Sequence, residues 1–499
     1  MLASCSLTPK PLGEAEQKEI LSRDLLEARR GVEPVGARLT LSEAIARGLK
    51  YNLEYRSKMM EQAVALGASD LSNYDLLPKV VANAGYNYRN NYFSSYAVGA
   101  YTGIPVTSEP LITSARTFGV AGLALSWNLL DFGVSYYNAV QNADKILVAS
   151  ERRRHSMHQL MQDIQIAYVQ AAASQHLSQV LAKTIKAAEL ALKDSAQGQE
   201  EGLQTPLDGL RYRKTILDNV KILETIRQEL SSSIVELNQL INLPVESRYE
   251  LVSPESLSVP NSFSKIAISE FEERALANNA DLKESIYNTR IAVAETHQSM
   301  LKLLPGINLT AGPQTSNNSF YLNQNWLEGA AQLTFNFWNL LLAPKVLRQG
   351  EANEALAIQK RMMVQMAVLG QVHLAQQSLG QARFIYQRAV EIAEVDDRIA
   401  AILKVKEKDG SASRAETVAA EATAIVSRLK RYQALSQMYV ASGRLQASTG
   451  LEPDISSIND IELKDLSQIV KTVSEAWHAG ELPPLVLVSS AIVPPPVKP

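Results

Sequence analysis

The chain has 499 residues and a formal net charge of −3, with Lys+Arg 49 against Asp+Glu 52. That balance lacks the basic surplus of a nucleic-acid-binding surface, so no nucleic acid partner is expected. Hydrophobic residues make up 46% of the chain, which is enough for a core. However, no run approaches the roughly 18 apolar residues that a membrane helix needs. If the protein crosses a membrane, we do not expect hydrophobic helices to be the means.

The N-terminus contains the single cysteine of the chain, Cys5, so an internal disulfide is excluded. The four residues Leu2–Cys5 match the lipobox that precedes acylation of bacterial lipoproteins. Such processing requires a basic and an apolar segment upstream, and here only Met1 precedes Leu2. Two interpretations stay open: translation starts further upstream and Cys5 is acylated, or the match is chance and Cys5 is a free thiol in an irregular terminus.

The first part of the chain predicts a helix followed by two strands. After a polar tail with a short helix around Glu14–Arg30, apolar residues recur at helical spacing from Thr40, with Thr40 or Ser42 as the N-cap candidate, until Pro78 ends the pattern. The sequence KVVANAGYNYRNNY then alternates between apolar and mostly polar residues, which predicts a two-faced strand. A loop at Phe93–Arg116 leads to a second strand, TFGVAGLALSWN, which we expect to end in a turn at Asp131–Gly133.

Long helices follow. Residues 138–195 contain neither proline nor glycine, and apolar or small residues step by four and three from Leu160 to Leu192, which is a heptad pattern. The sequence QGQEEGLQTP interrupts this helix. A second helix is predicted for Leu207–Ile241, ending before Pro244.

The whole arrangement occurs twice. An offset of 227 residues relates Leu77-Pro78 to Leu304-Pro305, and an offset of 208 relates Gly202 to Gly410. The second hairpin again alternates, and its loop is 19 residues shorter. We therefore divide the chain into an N-terminal tail (1–39), a first helix–hairpin–helix repeat (40–244), a linker (245–266), a second repeat (267–452) and a Pro-rich tail (453–499), which we expect to be extended.

Two hairpins supply four two-faced strands. In lipid, such strands place apolar side chains outward and polar side chains toward water, and open sheet edges are not tolerated there. Four strands cannot close a barrel, so the chain is expected to oligomerise.

The sequences Leu77-Pro78-Lys79-Val80 and LSWNLLDFG, in this doubled layout, resemble the outer-membrane efflux protein (TolC) family over residues 40–452. The resemblance implies an α+β membrane protein with long antiparallel coiled-coil helices and two β-hairpins per protomer. It also implies a homotrimer with a 12-stranded β-barrel in the outer membrane, in contact with its lipid, and an α-helical periplasmic tunnel. The Cys5 start is similar to the lipid-anchored branch of the family.

The implied function is a passive exit duct in a tripartite efflux or type I secretion system, driven by an inner-membrane pump through a periplasmic adaptor protein. The resemblance implies neither enzyme activity nor a cofactor, and the sequence does not distinguish drug, metal or protein as the exported substrate.

The resemblance also implies where the tunnel closes. The family carries acidic residues at the turns between the long helices, and Asp208 and Glu416 occupy matching places six residues after Gly202 and Gly410. A ring of like charges at a constriction favours opening unless cations compensate, and Arg211 and Arg414 are the nearest. The expected adaptor-docking surface comprises the tips: Gly202, Leu203, Thr205, Gly410, Ser411 and Ser413.

Other functions were weighed. A periplasmic coiled-coil scaffold or adaptor would explain the heptads but not the paired hairpins, and no convergent catalytic motif supports an enzyme. His155 and His158 are one helical turn apart and could share a metal, yet no carboxylate or cysteine completes a set of ligands. We interpret the surrounding sequence ERRRH as a solvated helix face.

Overall fold

The computed structural model describes residues 10–200, 206–253, 266–453, 458 and 460–482. Its helices are α1 (Glu14–Ala28), α2 (Leu41–Tyr51), α3 (Leu53–Tyr74), α4 (Leu129–Glu200), α5 (Pro206–Leu240), α6 (Ile268–Asn278), α7 (Ala280–Leu301), α8 (Trp338–Lys408), α9 (Arg414–Ser448) and α10 (Leu463–Ala479). Its strands are β1 (Arg38–Leu39), β2 (Lys79–Tyr88), β3 (Phe93–Ser95), β4 (Leu111–Ser114), β5 (Thr117–Asn128), β6 (Glu250–Leu251), β7 (Gly306–Ser316) and β8 (Asn325–Thr334).

The chain forms two compact units. The helical unit comprises residues 1–60, 151–283 and 364–499, and the sheet unit comprises residues 61–150 and 284–363. Among the described residues, no helix combines the length and apolar character that crossing a membrane requires.

The internal repeat is present element by element. The pairs α2 and α6, α3 and α7, and α5 and α9 have equal lengths of 11, 22 and 35 residues. The long helices α4 and α8 have 72 and 71 residues. The chain thus builds the same unit of structure twice.

Each repeat breaks its first helix at an asparagine. Asn52 donates from Nδ2 to the carbonyl of Leu240 at 2.9 Å, and Asn279 donates to the carbonyl of Ser448 at 3.0 Å. Each Oδ1 also accepts the backbone N–H three residues later and so caps the next helix. The prediction of one continuous helix from Thr40 was therefore wrong at Asn52, because the side-chain amide replaces backbone bonds that a helix would have made.

The helical unit is held by apolar clusters and, at Arg47, by a buried and fully paired cation. Leu39, Ile45, Ile164 and Tyr168 are fully buried together, and the Tyr168 hydroxyl donates to the Leu39 carbonyl at 2.9 Å. Arg47 is also buried, with its guanidinium donating to the Glu43 carboxylate and to two backbone carbonyls. Full pairing of this kind is what makes a buried charge tolerable.

The sheet unit contains a four-stranded antiparallel sheet with the strand order β2-β5-β7-β8. Strands β2 and β5 form one hairpin, and β7 and β8 form the other. The two hairpins join along β5 and β7, where Trp127 pairs with Leu309 and Val120 with Ser316. Beyond the strand ends, Asn318 accepts from the Ala115 amide at 3.1 Å and donates to the Ser114 hydroxyl at 2.9 Å, which ties the two loops together.

Two further predictions were wrong. The turn expected at Asp131–Gly133 belongs to α4, because the Asn128 side chain accepts the N–H groups of Leu130 and Asp131 and starts the helix directly after the strand. The tail expected to be extended contains α10, which buries an apolar stripe and donates from Trp477 Nε1 to Ser442 at 2.9 Å. The Pro-rich end, residues 483–499, lies outside the described residues.

Gly312 is required by the close approach of β5 and β7. A Cβ atom at this position would overlap the backbone carbonyl of Leu123, which has no flexible end that can move away. We therefore expect Gly312→Val to prevent the two hairpins from joining, measured as loss of heat-resistant strand signal in circular dichroism after detergent extraction. The control is Gly329→Val on β8, where the nearest atom to an added Cβ is 3.9 Å away. Equal loss in both variants would contradict this account.

Candidate functional site

The strands of the four-stranded sheet share one apolar face. Because side chains alternate along a strand, the pairing register collects mostly apolar residues on one face, with Thr117, Thr315 and Asn325 as polar exceptions. This apolar face consists of Val80, Ala82, Ala84, Tyr86 and Tyr88 on β2, Ala121, Leu123, Leu125 and Trp127 on β5, Ile307, Leu309, Ala311 and Pro313 on β7, and Leu327, Ala331 and Leu333 on β8.

The opposite face is predominantly polar. It carries the polar residues Lys79, Asn83, Asn87, Ser126, Asn308, Thr310, Gln314, Ser316, Glu328, Gln332 and Thr334, and among them the apolar residues Val81, Phe118, Val120, Ala124, Trp326 and Ala330. Ser126 and Asn308 are hydrogen-bonded to each other across the strands at 3.3 Å. A sheet with one face of each kind separates an apolar medium from water.

The sheet also has two open edges. Within the described residues, no further strand pairs with the outer side of β2 or of β8. Each edge therefore presents about half of its backbone N–H and C=O groups to a further strand.

The predicted tip residues are only partly within the described residues. Cys5, Gly202, Leu203 and Thr205 lie outside them, and of Asp208 only the backbone, within α5, is described. Acylation of Cys5 therefore stays a prediction.

The turn between α8 and α9 is well defined. Gly410 has a φ of +73°, a left-handed conformation that favours glycine, and the Ser411 amide donates to the Lys406 carbonyl at 2.8 Å. Ser413 caps α9 in a capping box: its hydroxyl accepts from the Glu416 amide, and Glu416 accepts from the Ser413 amide at 3.0 Å.

The capping box gives Glu416 a definite local role. The hydrogen bond from the Ser413 backbone lowers the pKa of Glu416 below its usual value. Its carboxylate is thus charged and already engaged at the start of its own helix. A carboxylate that caps its own helix is less able to contribute charge to a constriction of the tunnel. The gating role of Glu416 stays a prediction.

Arg414 joins three helices. Its guanidinium forms an ion pair with Asp194 on α4, and its Nε donates to Glu407 on α8 at 3.3 Å. Glu421 makes a second link nearby, accepting from Thr184 on α4 at 3.2 Å and from Lys404 on α8 at 2.6 Å. The two helix pairs of the protomer are therefore connected near their turns by side chains that carry charge. Arg211, the other predicted cation, is exposed.

A small apolar cluster supports these links. Ala188 and Ala191 on α4, Ile216 on α5, and Ala415 and Val418 on α9 are buried together. Tyr212 packs against this cluster, and burial raises its pKa despite a hydrogen bond from the Ala415 backbone. The small alanines allow the helices to approach closely just behind the ion pairs.

Sequence reasoning identified Arg414 but missed Asp194, Glu407 and Glu421. The pairs with Asp194 and Glu421 connect residues that are 220 and 237 positions apart. The detectable signal was position, because Asp194 and Glu407 lie within the last two turns of α4 and α8, close to the turns that follow these helices.

The interpretation of ERRRH as a solvated face holds for Arg152 and His155, which are exposed, but it is wrong for Glu151, which is buried, and for Arg154. His158 is buried and bonds to Glu452 at 2.9 Å, and Arg154 forms ion pairs with both Glu452 and Glu151. Arg154 also donates to the carbonyl of Asn278 at 3.0 Å.

These groups form a charged network inside the helical unit. Burial would raise the pKa of Glu452, but hydrogen bonds from His158 and Arg154 outweigh it and hold that pKa below its usual value. His155 bonds to Asp281 at 2.8 Å and lowers the pKa of that carboxyl. Each of the two histidines thus has its own carboxylate. Among the described residues, no group of three or more His, Cys, Asp or Glu is arranged to hold a metal ion.

Arg154→Met is expected to destabilise the helical unit by about 3–5 kcal/mol at pH 7, because Glu151 and Glu452 both lose the guanidinium that pairs with them and Glu452 keeps only His158. The folded-state pKa of Glu452 is depressed. Its ionised carboxylate therefore contributes stability above the unfolded pKa of about 4.3, and this contribution is lost as the pH falls through the folded value. The deficit of the variant should therefore shrink below about pH 4. Urea midpoints at pH 7 and pH 4 measure this.

The exposed Arg152 on the same helix provides the control for that prediction. Arg152→Met should shift the urea midpoint little at either pH. Equal shifts for both variants at pH 7 would mean that the buried network adds nothing beyond an exposed arginine.

Comparison with known proteins finds a family whose sequence profile matches part of this chain. The sequence profile described as "Outer membrane efflux protein" matches residues 49–243. Residues 49–243 belong to the outer membrane efflux protein family. No curated protein sequence matches the chain.

Solved structures of outer-membrane channels share the fold. The Campylobacter jejuni CmeC channel superposes with a TM-score of 0.64 at 12% identity, covering 94% of this chain and 94% of that one. The Vibrio cholerae protein VceC gives 0.61 at 12% identity, covering 83% and 97%. The open-state Neisseria gonorrhoeae MtrE channel gives 0.59 at 16% identity, covering 83% and 89%. The efflux-protein fold therefore extends through both repeats, beyond the residues that the family profile matches.

Proposed function

We propose that this protein is the outer-membrane channel of a tripartite efflux or type I secretion system. It is a passive duct that extends from the outer membrane into the periplasm, and an inner-membrane pump drives substrates through it. No residue is assigned a catalytic role, and no cofactor is needed for passage.

The observation that carries this proposal is the two-faced sheet with two open edges. Open edges are not tolerated in lipid, so a sheet that places its apolar face against acyl chains must close on itself. Four strands are too few to do so, since membrane barrels begin at about eight. Copies of this chain joined edge to edge, β8 of one to β2 of the next, close a 12-stranded barrel as a homotrimer. The polar face then lines the water-filled lumen.

The turns between the long helices supply the periplasmic end in this proposal. There the links through Arg414 and Glu421 hold the two helix pairs together and keep the aperture narrow. A periplasmic adaptor protein docks on the turn tips, of which Gly410, Ser411 and Ser413 are described. Capping by Glu416 keeps that turn rigid for docking.

The deciding experiment is the protein-only mass of the species extracted from the membrane fraction, obtained by light scattering with the detergent contribution subtracted. A mass near three times the 54.8 kDa protomer is expected, followed by ion conductance in planar lipid bilayers. A soluble monomer from cells that export the protein correctly would reject the channel and favour a periplasmic coiled-coil scaffold or adaptor.

A further inference from the structure

The first hairpin of the sheet carries two arginines directly opposite each other. Strands β2 and β5 pair in a register that ends with Tyr88 opposite Thr117, and the Arg89 amide continues it by donating to the Arg116 carbonyl at 2.9 Å. Residues that face each other in this way have Cβ atoms about 4.5–5.5 Å apart, and like charges at such positions destabilise a sheet. The placement of two cations there therefore needs a reason.

Both arginines continue the predominantly polar face of the sheet. Side chains an even number of residues apart on a strand share a face. Arg89 is two residues beyond Asn87, and Arg116 is ten residues before Ser126. The two arginines lie at one end of the hairpin, whereas Lys79 and Ser126 lie opposite each other at the other end, where the chain enters from α3 and leaves into α4.

Neither cation is neutralised within the protomer. The Arg89 guanidinium lies over the ring of Phe93, 4.9 Å from its centroid, and the Arg116 guanidinium lies over the ring of Tyr92 at 5.4 Å. Among the described residues, neither guanidinium forms an ion pair or a side-chain hydrogen bond. Both residues are exposed. Each guanidinium therefore keeps its planar fork of N–H donors, a geometry that matches carboxylate and phosphate oxygens.

The second hairpin shows that the fold does not require these charges. The offsets of 227 and 208 residues that relate the two repeats place Ser316 in correspondence with Arg89, and Gln324 in correspondence with Arg116. The Ser316 amide donates to the Gln324 carbonyl at 2.8 Å, which is the same bond at the same end of the second hairpin. Because the ladder forms there with neutral residues, folding does not account for the two arginines.

Other charges of the two hairpins leave the positive charge in excess. In residues 80–128 the one acidic residue is Glu109, so two arginines face one carboxylate in that stretch of sequence. In residues 306–337 the one charged residue is Glu328, whose carboxylate already accepts a hydrogen bond from Trp326 Nε1 at 3.3 Å. The second hairpin therefore brings no free cation and no second acid to the arginine pair.

We propose that Arg89 and Arg116 form an anion-binding site at the outer mouth of the lumen, and that anionic solutes leaving the channel are its ligands. The inference rests on the proposed channel and names the class of substrate that its exit favours. In that channel the polar face lines the lumen and the helices extend into the periplasm, so the arginine end of the hairpin opens to the cell exterior. Two arginines from each of three copies surround the mouth, and rings of arginine or lysine favour anions in pores.

The chemistry of the site defines the ligand. Two guanidinium groups suit an anion with several oxygen atoms, such as a carboxylate, phosphate or sulfonate. A lipid phosphate has the same chemistry, but lipid meets the opposite, apolar face of the sheet in the proposed barrel. The site is therefore assigned to solutes in the lumen.

Binding of pyrophosphate to the detergent-extracted trimer tests the site. Arg89→Ser combined with Arg116→Gln gives the first hairpin the residues of the second, so its strands are expected to form. Loss of two exposed charge interactions should weaken binding roughly 2- to 30-fold in titration calorimetry at low ionic strength. The matched control is Lys79→Gln, a cation at the other end of β2 on the same face, which should leave the affinity unchanged.

Reversal potentials distinguish a solute in the lumen from a lipid phosphate. In planar bilayers of neutral lipid under a potassium chloride gradient, the double variant should have a chloride-to-potassium permeability ratio roughly twofold or more below that of the unsubstituted channel. If the double variant loses pyrophosphate binding without any change in the reversal potential, the assignment to the lumen is overturned and a lipid phosphate becomes the ligand.

The outcomes separate the site from the channel. A protein-only mass of a monomer would overturn the proposed channel itself. A conducting trimer that does not bind pyrophosphate, or whose double variant binds it as tightly as the unsubstituted protein, would overturn the site and leave the channel in place. Weaker binding together with a reversal potential shifted toward that of potassium, in the double variant and not in Lys79→Gln, would establish the site.

Discussion

Arg414→Gln is expected to raise the open probability of the channel in planar lipid bilayers. The substitution removes the cation between Asp194 and Glu407 and leaves two carboxylates facing each other. An exposed ion pair contributes about 0.2–1 kcal/mol. Because the six pairs of a trimer act on one opening, the closed state loses about 1–6 kcal/mol in total, which raises the open population roughly fivefold or more.

The control is Arg398→Gln on α8, an arginine that is exposed and lacks an ion pair among the described residues. It should leave the open probability of the trimer unchanged. If intact trimers of Arg414→Gln and Arg398→Gln have the same open probability, Arg414 does not hold the aperture closed. Glu421→Gln should act in the same direction as Arg414→Gln, since it weakens the second link.

A positive charge on the apolar face of the sheet should destabilise the protein in the membrane. Ala331 lies in the middle of β8 on that face, and its neighbour Gln332 lies on the polar face. An arginine facing lipid at the bilayer midplane costs about 2–4 kcal/mol, and an arginine facing the lumen costs far less. Ala331→Arg is therefore expected to lower the folded-to-unfolded ratio in lipid vesicles roughly 30- to 800-fold for each protomer.

Gln332→Arg is the matched control, one residue away on the same strand. Urea titration of both variants refolded into vesicles gives the comparison, with tryptophan emission as the signal. Equal midpoints would contradict the assignment of the two faces, and with it the barrel.

Sequence pattern predicted the repeat, the long helices and the two-faced strands, because periodicity is a local property of the chain. It did not predict where a tertiary contact ends an element that the local periodicity would continue. Asn52 appears as one polar residue inside a helical pattern, yet its amide bonds to Leu240, far along the chain, and ends the helix. Asn128 is a different case: its side chain accepts the N–H groups of Leu130 and Asp131, and this local cap starts a helix directly after the strand without a loop.

The residues of the candidate site also differ in whether the sequence could reveal them. Arg414 was found by position relative to a turn glycine, whereas its partner Asp194 depends on how two separate helix pairs lie together. The ERRRH sequence has the composition of a solvated face, and only the fold shows that Glu452 returns to it from the end of α9. Charge alone does not reveal burial when the compensating groups are hundreds of residues away.

The equal lengths of α5 and α9 limit how a gene for this protein can change. One inserted codon in either helix would rotate every later side chain of that helix by about 100°. The residues of α5 and α9 would then no longer correspond, and the packing of the two repeats depends on that correspondence. Insertions are therefore confined to the strand loops, where one copy already exceeds the other by 19 residues. Natural variation among relatives should accumulate length in the strand loops and only substitutions in the helices.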